Sequence, residues 1–176
     1  MHNDELNTGL QALKLAQAHS AKFCFDPNLR PQLMPVEHTR TAFAPFVEAA
    51  DVIIPTAEEA CLLTGESTAE DAITTLLAGK PERIVILTQR EQGCVVHTQD
   101  YSEHVPGYKV QAIDATGAGD CFDAGFLARW LAGDSPIQAA RFANACGALA
   151  ITAQGPMAGA QSLPTVQAFI ANAETR

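Results

Sequence analysis

The sequence predicts an α/β fold with a mainly parallel sheet and helices on both faces. Three observations predict it. Helical and strand-like patterns alternate along the chain; the strand candidates are short apolar runs dominated by β-branched residues; and segments of helical length separate one run from the next.

The elements follow in order. Leu6, Leu10, Leu13, Ala16 and Ala18 recur near helical spacing, so the chain opens with a helix. Lys22–Phe25 (KFCF) is a short strand candidate closed by the turn Asp26-Pro27-Asn28. Val52–Ile54 (VII) and Ile84–Leu87 (IVIL) are two buried strands, and Thr56–Leu63 and Thr68–Leu77 are the helices between them. Gly93–His97 (GCVVH) follows closely enough to suggest a hairpin, and Glu103–Val110 adds one more strand. The remainder is helical, over Ala118–Leu131, Pro136–Thr152 and Thr165–Asn172. Strands are few for a sheet covered on both faces, and none precedes the first helix. The chain reads as the second part of a larger unit.

Composition narrows the function. The chain has 176 residues, 47% of them hydrophobic, enough for a soluble domain with a real core. Its formal net charge is −9, from 20 acidic and 11 basic residues with no basic block, which argues against nucleic acid and against a membrane surface as partner. A small ligand is the better expectation. No apolar run reaches the ~18 residues of a membrane span, and MHNDELNTGL has no secretory pattern, so the expected location is cytoplasmic. Cys24, Cys61, Cys94, Cys121 and Cys146 are odd in number and scattered, as buried small hydrophobes in a reducing compartment would be. The histidines show no zinc-ligand spacing.

One stretch carries chemistry. In Asp114–Phe126 (DATGAGDCFDAGF), Gly117 and Gly119 permit an unusual backbone turn and clear side chains from above it. The helix that starts near Ala118 adds its positive end, so the turn suits a phosphate or charge developing on one. Asp120 in the first helical turn then has two readings: a cap that complements the helix dipole, or a functional carboxylate. The motif is neither a G-x-x-x-x-G-K-[ST] phosphate loop nor a dinucleotide fingerprint.

DATGAGD followed by CFDAGF resembles the C-terminal signature of the ribokinase-like (PfkB) carbohydrate kinases. FDPNLRP (25–31), VIIPTAEEA (52–60), IVILTQREQG (84–93) and FANACGALAITAQG (142–155) follow in that family's order at its spacings. The resemblance covers essentially all of residues 1–176. It implies the C-terminal portion of a single ribokinase-like domain, carrying the nucleotide site and the catalytic base but lacking the family's N-terminal strands, most of its sugar-binding side chains and its β-lid. It implies ATP-dependent phosphorylation of a sugar or keto-sugar acid, with a fructose-like or 2-keto-3-deoxygluconate-like substrate. A non-catalytic nucleotide-binding or interaction module is the alternative for a chain without the sugar half.

By the same resemblance, Asp120 is the base, with Asp123 as its nearest rival, and the amides of Gly117, Ala118 and Gly119 hold the transferring phosphoryl group. Thr88, Gln89, Gly93, Gly119 and Asn144 are implied to bind the nucleotide, and Asn28 and Arg30 the substrate side. Arg30 offers a planar fork to a carboxylate or a phosphate. Glu59 is implied to place Mg²⁺ through water. Asp114 and Thr116, with carbonyls near Ala150, Ala153 and Gly155, match a monovalent-cation site, K⁺ in some relatives, and the full-length form has the option of a homodimer. The sequence departs from the family's pattern at Thr56, where asparagine is usual, and at Arg90, where glycine is usual. Each position also has a plainer reading: an exposed helix-start acid for Glu59, a surface loop for 88–93, a helix-surface asparagine for Asn144, and an exposed turn arginine for Arg30.

Overall fold

A computed structural model describes residues 3–30, 32 and 35–176. Pro31, the last residue of FDPNLRP, lies outside the described residues. The elements are α1 (Asn3–Ala18), β1 (Cys24–Phe25), α2 (Val36–Ala49), β2 (Val52–Ile53), α3 (Ala57–Thr64), α4 (Ala69–Ala78), β3 (Ile84–Thr88), β4 (Gly93–His97), β5 (Ser102–Pro106), α5 (Ala118–Trp130), α6 (Pro136–Ala150) and α7 (Leu163–Asn172). The strands form one sheet in the order β1-β2-β3-β4-β5. The α/β expectation holds, with a sheet that is mixed and mostly parallel. Two compact units divide the chain: one runs to Leu87 and includes His97–Tyr101, the other holds Thr88–Val96 and Ser102–Arg176.

In the first unit, β1 pairs in parallel with β2, Cys24 opposite Val52, and β2 with β3, Val52 opposite Ile84. Parallel neighbours need a crossover, and α2 supplies one while α3 and α4 supply the next. Val52, Ile53, Val85 and Ile86 are fully buried, which explains why their segments read as continuous apolar runs. β1 is shorter than the sequence suggests, two residues instead of four. Around it Phe23, Phe25, Phe43 and Phe46 stack, with Phe25 edge-on to Phe43 at 5.4 Å between ring centres. Arg83, only 2% exposed, donates to the carbonyls of Ala50, Leu76 and Glu48 at 3.0, 2.6 and 2.7 Å. One side chain thereby satisfies carbonyls at the ends of α2 and α4 that have no helical donor. Asp51 stands at the entrance to β2, with its carboxylate on Lys80 Nζ at 2.8 Å, Lys22 Nζ at 3.3 Å and Phe23 N–H at 2.8 Å. Burial opposes its ionisation, but these donors outweigh it and hold the carboxyl below its ordinary value.

In the second unit, α5 and α6 pack closely through Gly125: a Cβ there would lie 2.8 Å from Cys146 Sγ and 3.3 Å from Ala143 Cα. Ala139, Ala140, Ala143 and Ala145 of α6 are fully buried, as is Phe126 of α5. Tyr108 packs on Phe169 of α7 at 5.2 Å between ring centres. The chain end returns beside it, pairing Tyr108 antiparallel with Thr175.

None of the five cysteines forms a disulfide, but the expectation that all are buried is corrected: only Cys94 is, and Cys24, Cys61, Cys121 and Cys146 are half-buried on the flanks of elements. No helix among the described residues is long and apolar enough to cross a membrane.

Candidate active site

The start of α5 is built by its own sequence. Asp114 accepts from Thr116 Oγ1 at 2.7 Å, from Thr116 N–H at 2.9 Å and from Gly155 N–H at 2.9 Å. The Thr116 hydroxyl first, then these two N–H groups, hold the Asp114 carboxyl below its ordinary value. Asp114 thus latches the loop after α6 to the turn before α5. Thr116 is taken up in the same latch. Among the described residues no group of three or more His, Cys, Asp or Glu side chains could hold a metal ion.

Gly117 caps α5 with φ of 80°, and a Cβ there would run into the carbonyl of Pro156. Only glycine suits both conditions. Gly119 differs: a Cβ there would meet nothing within 4 Å, so open space lies above it. Ala118 N–H points to the carbonyl of Ala115 at 3.3 Å, and Cys121 N–H makes the first helical bond, to Gly117 O at 3.0 Å. The N–H groups of Gly119 and Asp120 have no acceptor among the described residues. Two orphan donors at a helix N-terminus under open space can receive an anion.

Asp120 sits at the third position of α5, exposed, and α5 has no side-chain cap. At the same position of the other capped helices the side chain is engaged: Glu59 with Thr56, Asp71 with Thr68, Gln138 with Ser135 and Thr165 with Ser162. The Asp120 carboxylate accepts no hydrogen bond among the described residues. Among the described residues it has no hydrogen-bonding cap role, and the carboxylate is open to solvent. Asp123, one turn on, is half-buried.

A cavity of about 330 Å³ lies in the first unit and one of about 600 Å³ in the second. The larger is of small-molecule size, and its wall contains Thr88, Gly93, Ala118, Gly119 and Asn144. Of the sequence-predicted nucleotide residues only Gln89 is outside this lining; it is exposed in the turn after β3. Gly93, with φ of 95°, faces the Val105 carbonyl so closely that no side chain fits. Arg90 has φ of 54°, so an arginine occupies the left-handed conformation that glycine would adopt without strain. Asn144 is not on the helix surface: it is 7% exposed and donates from Nδ2 to the carbonyls of Val105 and Pro106 at 2.9 and 3.2 Å. It fixes α6 to the end of β5. Next to it, burial pushes the Cys94 thiol up to about 12, against the pull of its hydrogen bond with Asn144.

The remaining predicted residues belong to the first unit. Asn28 is exposed with φ of 39°, and its N–H donates to Asp26 Oδ1 at 2.9 Å in a turn of the Asx type. Arg30 is exposed and uses Nη1 on the carbonyls of Asn28 and Leu29. Glu59 is heavily engaged: Oε1 accepts Leu29 N–H at 2.7 Å, and Oε2 accepts Thr56 N–H and Thr56 Oγ1, both at 2.9 Å. Thr56, the residue that departs from the family's asparagine, is the N-cap of this box. A carboxylate has about four acceptor sites, so one stays open here. Sequence reasoning missed Tyr108, Val110, Phe122, Ile151 and Arg176 of the cavity wall. Gly107 was the readable sign among its neighbours, because a glycine just after a strand often marks a close backbone approach.

The model of the pfkB family of carbohydrate kinases matches residues 2–163. Fructokinase-1 of Oryza sativa subsp. japonica is 36% identical over 164 residues, covering 89% of this chain and 50% of that protein. An E. coli protein provisionally assigned as ribokinase II, solved in complex with ATP and Mg²⁺, superposes with a TM-score of 0.89 at 34% identity, over 94% of this chain and 54% of its own. Fructokinase from Vibrio cholerae O395, solved with fructose, ADP and a calcium ion, gives 0.83 at 29% identity, over 93% and 55%. The chain spans about half the length of the curated relatives it matches.

Proposed function

We propose, for a chain that belongs to the pfkB family of carbohydrate kinases, that it carries the nucleotide site and the catalytic base of an ATP-dependent sugar kinase. The observation that carries this reading is Asp120: the third-position acid of α5, exposed, accepting no hydrogen bond among the described residues, and next in sequence to Gly119 of the cavity wall.

The chemistry follows from these groups. The oxygen of a sugar hydroxyl bonds to the γ-phosphorus of ATP while the bond from that phosphorus to the ADP oxygen breaks. The hydroxyl proton passes to the Asp120 carboxylate. Negative charge that builds on the equatorial phosphoryl oxygens is met by the N–H groups at the start of α5 and by its dipole. A carboxylate can serve as base because the proton leaves late, when the new P–O bond is already forming. The nucleotide base and ribose lie along the wall made by Thr88, Gln89, Gly93 and Asn144. Glu59, by the family resemblance, would hold Mg²⁺ through water, and the ion would supply charge screening to the phosphates. A K⁺ at Asp114 and Thr116 would use backbone carbonyls, since the Asp114 carboxylate is already engaged in the loop latch. The sugar is fructose-like, in line with the fructokinase relatives, and the family resemblance assigns Asn28 and Arg30 to its binding. Nε and Nη2 of Arg30 have no partner among the described residues and could receive a carboxylate on a keto-sugar acid.

The test is made in a form of the protein that carries a sugar-binding half. Asp120→Asn should lower sugar-dependent turnover by ~10² to 10⁴-fold with ADP affinity retained, as for loss of a general base. Asp123→Asn should turn over normally. The reverse pattern would move the base to Asp123, and normal turnover in both would remove it from α5.

A further inference from the structure

The cavity of the second unit has a feature that the base and the amide turn leave unused. Arg90 and Arg176 both line its wall, with Glu91 as the acid beside them. Arg30, Arg40, Arg83 and Arg129 all donate hydrogen bonds within the chain. The guanidiniums of Arg90 and Arg176 make none, and no ion pair, among the described residues. In a chain of net charge −9, two unpaired cations on one cavity wall stand out.

The backbone places them together. Arg90 lies in the short turn Arg90–Gln92, whose Gln92 carbonyl accepts Gly107 N–H at 3.1 Å. The Gly107 carbonyl in turn accepts Arg176 N–H at 2.9 Å, and Lys109 N–H bonds to the Glu174 carbonyl at 2.9 Å. Gly107 is wedged so tightly between these segments that a Cβ would strike the Glu91 carbonyl. Turn, Gly107 and tail form one ladder of main-chain bonds. Its two ends carry the arginines.

We propose that Arg90 and Arg176 form a two-guanidinium rim that holds the diphosphate of the nucleotide, and so make this cavity prefer nucleotides over nucleosides. Guanidiniums suit this task because each offers a planar pair of donors to phosphate oxygens. The departure from glycine at position 90 is then explained: the left-handed backbone strain is accepted in exchange for a cation at the cavity mouth. The identity of the ligand rests on the nucleotide reading given above, whereas the rim itself requires only a condensed phosphate.

The experiment titrates ADP, adenosine and inorganic tripolyphosphate by calorimetry into the chain and into Arg90→Gly, Arg176→Gln and the double variant. Glycine suits the backbone at position 90 and Gln keeps a polar side chain at 176, so thermal melts should stay unchanged. The rim predicts that the double variant binds ADP and tripolyphosphate about 10-fold or more weakly, with adenosine unaffected and a flatter salt dependence. ADP and tripolyphosphate affinities within about twofold of the unmodified chain would overturn it, and so would no binding of either anion by the unmodified chain. If Gly119→Val still abolished ADP binding in the first of these cases, the nucleotide site would stand without the rim. Arginine-dependent binding of tripolyphosphate with no binding of ADP would keep the rim and overturn the nucleotide reading.

Discussion

At the start of α3, Thr56 caps the helix and Glu59 at its third position takes hydrogen bonds from Thr56 and from Leu29. At the start of α5 the cap is a glycine, and Asp120 at the same position takes none. The two helix ends have a carboxylate at the same position and opposite surroundings. In α3 the Thr56 cap and the Glu59 carboxylate satisfy one another, and Glu59 also holds Leu29 to the helix start, which stabilises the fold. In α5 the donors and the acceptor are both left open, a local cost in stability of the kind found where chemistry is done. The difference teaches where to look: the helix end that fails to cap itself is the candidate site.

The same contrast exists within the α5 turn itself, and there the largest change in stability is expected. Gly117→Ala must place a Cβ against the Pro156 carbonyl at a φ of 80°, and should destabilise the chain by more than about 2 kcal/mol in chemical denaturation. Gly119→Ala, with open space and a helical position, should leave stability unchanged or raise it by up to about 1 kcal/mol. Equal losses would mean that both glycines are structural, and the open space over Gly119 would lose its meaning.

The two acids can be compared in the same assay, with a smaller expected effect. Glu59→Ala removes the acceptor of three donors and should destabilise by about 1–3 kcal/mol. Asp120→Ala loses only its favourable place near the helix dipole and should change stability by less than about 1 kcal/mol. A larger loss at position 120 than at 59 would restore the cap reading of Asp120.

Much of this was legible in the sequence, for physical reasons that differ by element. β2 and β3 were readable because strands buried on both faces are apolar throughout, and the helix starts at Thr56, Thr68 and Ser135 because capping residues precede them. α2 was not identified as a helix: Pro45 interrupts its pattern and none of its residues is fully buried, so its apolar periodicity is weak. Asp120 and the glycines were legible because the motif is local. The engagement of Glu59 by Leu29 was not, since its partner lies 30 residues away in sequence. The burial of Asn144 was not legible for the same reason: the Val105 carbonyl it bonds is 39 residues away. Arg176 had no readable signal, because a single main-chain bond to Gly107 and the neighbouring pairs place it.

The smallest effect is on acid stability. Asp114 and Asp51 both have folded values held below the ordinary carboxyl value of about 3.9. Their contribution is therefore fully present above that value and is lost as pH falls through it toward the lower folded values. Asp114→Asn should lower stability at neutral pH and flatten the acid limb of a melting-temperature profile measured from pH 6 to 3. A profile of unchanged slope would show that the loop latch is not what the Asp114 carboxylate stabilises.

The account rests most directly on whether the uncapped start of α5 receives phosphate. ADP titrated by calorimetry into the chain and into Gly119→Val decides it, because the valine Cβ enters the open space above the orphan N–H groups, where it meets nothing within 4 Å. The account predicts a loss of ADP affinity of at least about tenfold, with an unchanged melting temperature. Equal ADP affinity in the two proteins would contradict it and place the phosphate elsewhere.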